Sequence, residues 1–157
     1  MTTRPESASE IAARHFDAGF NCAESINLAF PPAGDDAARA AQMGATAFGG
    51  GIVRRGMTCG ALTGAAMVIG RQLGRCTPED GDGKERVYRV VQSILSEFEA
   101  QYGTLECRTI TSVDFNEPND PDAMKKLHTE VCVPLVRYVA ELVERALAES
   151  EAGKEKP

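Results

Sequence analysis

The sequence predicts an all-α fold, a single compact bundle of about six to seven helices, and three observations carry that reading. The 157 residues contain no tryptophan and few aromatics, so the core is aliphatic and alanine-rich, a composition that suits close helix packing. Apolar residues recur at helical spacing, most plainly at Val87, Val90, Val91, Ile94, Leu95 and Phe98. No alternating strand pattern is longer than Thr109 to Val113. Length and an apolar fraction of 43% fit one domain over residues 1–157, with an ordered core over 7–149 and a charged tail over 150–157.

The elements follow from their end signals. Ser7 and Glu10 form a capping-box pattern that opens a helix over Ser7 to Ala18, stopped by Gly19. Asn21 and Glu24 open a second from Cys22 to Phe30, ended by Pro31-Pro32. Asp35 or Asp36 starts an alanine-rich third ending near Phe48, followed by a permissive loop, Gly49 to Gly56. Thr58 reads as the cap of a fourth helix, Cys59 to Leu73, and Gly74 closes it. A fifth runs from Lys84 to Tyr102, and Thr104 caps a short turn through Cys107 and Ile110. Ser112 to Asp122 is an ordered loop, and Asp122 to Glu149 is helical, with Pro134 in a first turn or at a break.

Net charge of −6 argues against nucleic-acid binding and against docking on an anionic membrane. Residues Met1 to Glu10 lack an apolar run. The most apolar stretch, Ala61 to Ile69, is far short of a membrane span. The expectation is a cytoplasmic protein. In a reducing compartment, five cysteines point to catalysis, metal binding or redox sensing rather than structural disulfides.

Four of them, Cys22, Cys59, Cys107 and Cys132, fall at expected helix starts, Cys107 three residues after Thr104 and Cys132 three after Thr129. A helix N-terminus stabilises a thiolate, lowering a thiol pKa toward roughly 3.5 to 7.5. Arg54, Arg55 and Arg108 are placed to reinforce this. These four cysteines are the candidate catalytic and metal-ligating residues for thiol redox or metal-cluster chemistry. Cys76, in a polar loop, is an incidental thiol. No Cys-x-x-Cys pair exists, so the four must converge from distant segments. Gly60 and Gly64 share one helix face, where each costs about 1 kcal/mol relative to alanine and allows a backbone or cofactor to come close. With Arg54 and Arg55 they are the candidate cofactor-binding residues. The stretch Gly51 to Thr58 nearly matches a phosphate loop but carries Met57 where lysine belongs. His128 and Cys132, four apart, fit one metal, but His15 and His128 read better as ordinary helix residues.

Five stretches carry a family resemblance: Gly19 to Glu24, Phe48 to Ile52, Thr58 to Gly64, Tyr102 to Cys107, and Cys132. With these the sequence resembles the C_GCAxxG_C_C family, named for a cysteine, a Cys-Gly-Ala-x-x-Gly motif and two further cysteines. The resemblance implies a redox-active helical domain whose cysteines map onto Cys22, Cys59, Cys107 and Cys132. Similar domains also resemble part of some multihaem cytochromes associated with an iron–sulfur centre. This chain has no Cys-x-x-Cys-His, which excludes covalent c-type haem.

The expected function is therefore a redox-active four-cysteine site. It would bind an iron–sulfur cluster through four thiolates or cycle between dithiol and disulfide. The alternative is a non-catalytic helical scaffold with a structural zinc or merely buried cysteines. A redox partner is implied but not identified. The apolar faces of the fifth and last helices would serve a homodimer as well as a monomer core.

Overall fold

The computed structural model describes residues 4–153, and every described regular element is helical. Helix α1 (Ala8–Asp17) starts at a complete capping box, Ser7 accepting from the Glu10 N–H while the Glu10 carboxylate accepts from the Ser7 N–H. Helix α2 (Cys22–Ala29) starts the same way at Asn21 and Glu24. Such caps contribute about 1 kcal/mol each and fix where the first turn begins. Helix α3 (Asp35–Ala45) passes into a 3-10 turn, Thr46–Phe48.

Helix α4 (Gly60–Leu73) is the most deeply embedded element. It packs against α2, α5 (Gly81–Tyr102) and α8 (Val133–Ala152) and buries Ala61, Leu62, Ala65, Val68 and Ile69. Small residues set the approach of α2. A Cβ at Gly64 would lie 2.9 Å from the Ala23 carbonyl oxygen and 3.2 Å from the Ile26 Cβ, closer than packing allows. Helix α1 lays Ala12 and Ala13 against α8, and α5 supplies Phe98, fully buried and stacked on Tyr102. Among the described residues no helix is long and apolar enough to cross a membrane.

Several boundaries depart from the sequence reading for physical reasons. Helix α5 begins three residues earlier than expected, because Asp80 caps it by accepting from the Gly83 N–H at 2.7 Å. The last helix reaches Ala152 rather than Glu149, so the first residues of the charged tail expected over 150–157 are helical, and 154–157 lie outside the described residues. Pro134 falls in the first turn of α8, one of the two places expected for it, and interrupts nothing. Helix α7 (Pro121–Leu127), a π-helical turn (His128–Cys132) and α8 run on continuously. Proline lacks the N–H of the α ladder and its ring crowds the carbonyl four residues back, and the wide turn just before Pro134 takes up both.

The loop after the 3-10 turn is permissive, as expected, but its conformation is unusual. Gly50, Gly51, Ile52, Val53 and Arg54 all have positive φ, from 43° to 70°. Five consecutive left-handed residues make a tight turn closed by Val53 N–H to the Ala47 oxygen (2.8 Å), Arg54 N–H to Gly49 (3.0 Å) and Gly56 N–H to Gly50 (3.0 Å). Left-handed backbone costs an L-residue about 1–2 kcal/mol, and Ile52 and Val53 are β-branched, the residues least suited to it.

Candidate four-cysteine site

Local structure brings Cys59 and Cys107 side by side. The segment before α4 pairs with the segment before α6 (Cys107–Thr111) through an isolated antiparallel bridge, Thr58 opposite Glu106. Cys59 N–H donates to the Leu105 oxygen at 2.8 Å and Cys107 N–H to the Met57 oxygen at 2.7 Å. Thr58 is thus occupied in pairing, and Cys59 itself is the N-cap of α4. Likewise Glu106 rather than Thr104 caps α6, with Thr104 Oγ accepting from the Glu106 N–H.

Cys22 enters from the first residue of α2, as expected. Its sulfur lies where a side chain at position 60 would point. A Cβ on Gly60 would sit 2.5 Å from Cys22 Sγ and 2.7 Å from the Phe48 carbonyl oxygen. Gly60 is therefore a close-approach glycine facing the sulfur and Gly64 faces the backbone of α2; neither expected cofactor-binding glycine is among the cavity-lining residues. On the far side, a Cβ on Gly51 would meet Met57 N at 2.6 Å and Cys107 Cβ at 2.8 Å, so the left-handed turn lies flat against Cys107.

Cys132 was expected at a helix start and is not at one. It closes the π-helical turn inside a continuous helical run, and Thr129, its expected cap, turns its hydroxyl back to the Lys125 oxygen. Even so, Cys22, Cys59, Cys107 and Cys132 all line one cavity of about 350 Å³. Cys76 is exposed and outside it. Among the described residues no three His, Cys, Asp or Glu groups come close enough to hold a single metal ion. The four sulfurs ring a space instead of meeting at a point, and all five cysteines are free thiols.

The electrostatics separate the thiols. Cys22 is drawn down to about 7, chiefly because its thiolate accepts a hydrogen bond from the Cys59 thiol; burial opposes this, and the N–H groups of Gly50, Cys22 and Ala23 assist it. Cys59 moves up, since its proton is held on Cys22 and burial and the Cys22 charge disfavour a second anion. Burial pushes Cys107 up to about 11, with the Cys22 charge adding and Arg108 opposing. Burial likewise pushes Cys132 up to about 12, reinforced by Cys22 and Cys107. The expectation of four activated thiolates thus holds for Cys22 alone. At the other three, desolvation and like-charge repulsion exceed whatever a helix end supplies.

Arg54 and Arg55 are both exposed, Arg54 at the cavity rim and Arg55 outside it, and neither is among the causes that lower Cys22. Arg108 pairs with Asp114 at 2.9 Å. That pair anchors the loop after α6, whose Asn116 donates to the Arg54 carbonyl at 2.9 Å and whose Phe115 lines the cavity. The sequence reading weighed His128 as a metal partner of Cys132 and set it aside as an ordinary helix residue. Its ring lies parallel on Phe16, centroids 4.5 Å apart, its Nε2 is 2.9 Å from Asp17 Oδ1, and both rings line the cavity. The four-residue spacing to Cys132 was the available signal.

Fold and site together define a class, an all-α protein that gathers four cysteines from distant segments around one cavity. Residues 20–146 match the model of the family described as "Putative redox-active protein (C_GCAxxG_C_C)", and the chain belongs to that family. No curated protein and no solved structure matches the chain.

Proposed function

We propose that Cys22, Cys59, Cys107 and Cys132 act as one redox site that holds an iron–sulfur cluster through four thiolates. The observation that supports this most is the single cavity of about 350 Å³ that all four line. The donor set suits the group, since four cysteine thiolates are the usual ligands of such clusters and N–H groups near the sulfurs tune them. Backbone N–H groups of Gly50, Cys22 and Ala23 serve the Cys22 sulfur, and that of Ala61 serves Cys59. A cavity of about 350 Å³ has room for a multi-atom group beside the four sulfurs. When bound, the cluster would accept and release single electrons. The chain's own part is to bring four sulfurs together, to stabilise charge at Cys22 first, and to exclude water with Phe16, Ile110 and Phe115.

A second reading is favoured by the Cys22–Cys59 hydrogen bond. That pair, one thiol lowered and its neighbour raised, is arranged for dithiol–disulfide exchange, with Cys22 as attacking thiolate and Cys59 as resolving thiol.

Anaerobic purification followed by iron, zinc and sulfide analysis, a visible spectrum and thiol titration separates the readings. The cluster reading expects iron, sulfide and a bleachable visible band that Cys59→Ser abolishes and Cys76→Ser leaves intact. Metal-free protein that loses two thiols under mild oxidants, again only with Cys59 present, supports exchange instead. Five titratable thiols under both conditions, with no metal, would overturn both.

A further inference from the structure

Beyond its sulfurs, the cavity has a selective wall. Phe16, Ile110, Phe115, Leu127 and Val136 make it largely apolar, and about 350 Å³ lies at the lower end of the range for small-molecule pockets. Its polar side chains are nearly all engaged. Asn21 is held by the Glu24 N–H and the Thr46 oxygen, Thr46 by Glu24, Thr111 by the Cys107 oxygen, and His128 Nε2 by Asp17. Arg54 is the exception. Among the described residues its guanidinium makes no ion pair, and no carboxylate lines the cavity beside it.

Arg54 is exposed, and it is its backbone that is held in place at the cavity, at a cost. Arg54 is the last residue of the left-handed turn, at φ 64°. Its N–H is fixed on the Gly49 oxygen at 3.0 Å and its carbonyl on Asn116 Nδ2 at 2.9 Å. Left-handed backbone at a residue other than glycine persists only where its surroundings enforce it, and it gathers at ligand clamps. In a chain of net charge −6, an exposed, unpaired arginine whose backbone is fixed at the rim of an apolar cavity is a recognition feature that composition does not explain.

We propose that the cavity takes a small organic anion with an apolar body, its charge on Arg54 and its apolar part among Phe16, Ile110, Phe115 and Leu127, beside the cysteines. This rests on the redox reading for its purpose, since it names the class of molecule that would meet the sulfurs. It does not depend on whether cluster or dithiol does the chemistry.

The test uses three probes of one shape, naphthalene-2-carboxylate, the neutral naphthalene-2-carboxamide and the cationic 2-naphthylmethylammonium, titrated into the full-length protein by NMR. The carboxylate should bind about tenfold tighter than the amide, the effect of one charge-assisted contact. Arg54→Ala should reduce it to the amide's affinity, Arg55→Ala should not, and Phe115→Ala should weaken carboxylate and amide alike. In metal-free, reduced protein, bound carboxylate should also slow iodoacetamide labelling of Cys22 while leaving Cys76 unchanged. Equal binding of all three probes, no binding, or carboxylate affinity indifferent to Arg54→Ala overturns the proposal. Metal and disulfide content of the same sample reports on the redox reading separately, so either can fail alone.

Discussion

If the turn from Gly50 to Arg54 is strained, glycine should be preferred over alanine at position 53, the reverse of the ordinary order. Val53 has φ 43° and is 59% exposed, so truncating it removes little burial. Comparing Val53→Gly with Val53→Ala cancels that loss, because both remove the branched side chain. What remains is the left-handed backbone, which costs alanine about 1–2 kcal/mol more than glycine, against glycine's greater unfolded-state freedom of about 0.5–1 kcal/mol. The glycine variant should therefore be more stable than the alanine variant by about 0.5–1 kcal/mol, or ~1–4 °C in Tm for a chain of this size. Urea and thermal unfolding followed by circular dichroism measure it, with the reduced, metal-free protein throughout. Gly70 is the internal control. It lies within α4 with open space where a Cβ would go, so there alanine should win by about 1 kcal/mol. An alanine variant at 53 that equals or exceeds the glycine variant would refute the argument that this turn stores strain.

Other outcomes follow from the sulfurs. In metal-free reduced protein, alkylation of Cys22 should rise with pH around a midpoint near 7, and Cys59→Ala, which removes the main hydrogen-bond donor, should move that midpoint upward; a midpoint unchanged by the substitution would contradict the pairing. Gly60→Ala should destabilise by about 1–3 kcal/mol through overpacking and disturb labelling of Cys22, since its Cβ would meet Cys22 Sγ at 2.5 Å. Folded Cys107 and Cys132 hold their protons to about 11 and 12, above the ordinary thiol value of ~8.5, so their contribution is complete below ~8.5 and is lost as pH rises from there through the folded values. Unfolding titrations should show this alkaline loss, at most about 1.4 kcal/mol per pH unit for each thiol and less with solvent screening, smaller in Cys132→Ser; an identical profile in that variant would contradict burial as the cause.

Local signals were legible and tertiary ones were not. The capping boxes at Ser7 and Asn21, and the apolar stripe from Val87 to Phe98, encode their own helices, because each is satisfied by residues within a turn or two. Cys22 could therefore be placed correctly at a helix start. Cys107 and Cys59 were misjudged by a residue or two in their caps, since the bridge between Thr58 and Glu106 joins segments far apart in the chain. Cys132 was misread because a threonine three residues before it imitates a cap, while the π-helical turn depends on how the run accommodates Pro134. The left-handed turn was hidden for a related reason. Gly49 to Gly51 announced a loop, but Ile52 and Val53 argue locally against positive φ, and only contacts to Ala47, Gly49 and Asn116 impose it. His128 was discounted because its partner Asp17 lies on α1, more than a hundred positions away in sequence.

The asymmetry among the thiols decides which sulfur acts first under either redox reading. Four buried thiolates facing one cavity would repel one another and lose hydration, so the reduced, unliganded protein keeps three of them protonated. Cys22 escapes because it alone combines a helix start, a thiol donor in Cys59 and the Gly50 N–H from the left-handed turn. An incoming cation or electrophile therefore meets one thiolate and three neutral neighbours. Each further bond to sulfur must release a proton, so loading is favoured by rising pH. Under either proposed reading, the strained turn and the burial of the other cysteines would act together: the first would prepare a single reactive sulfur, and the second would hold the remaining three in reserve until positive charge arrives.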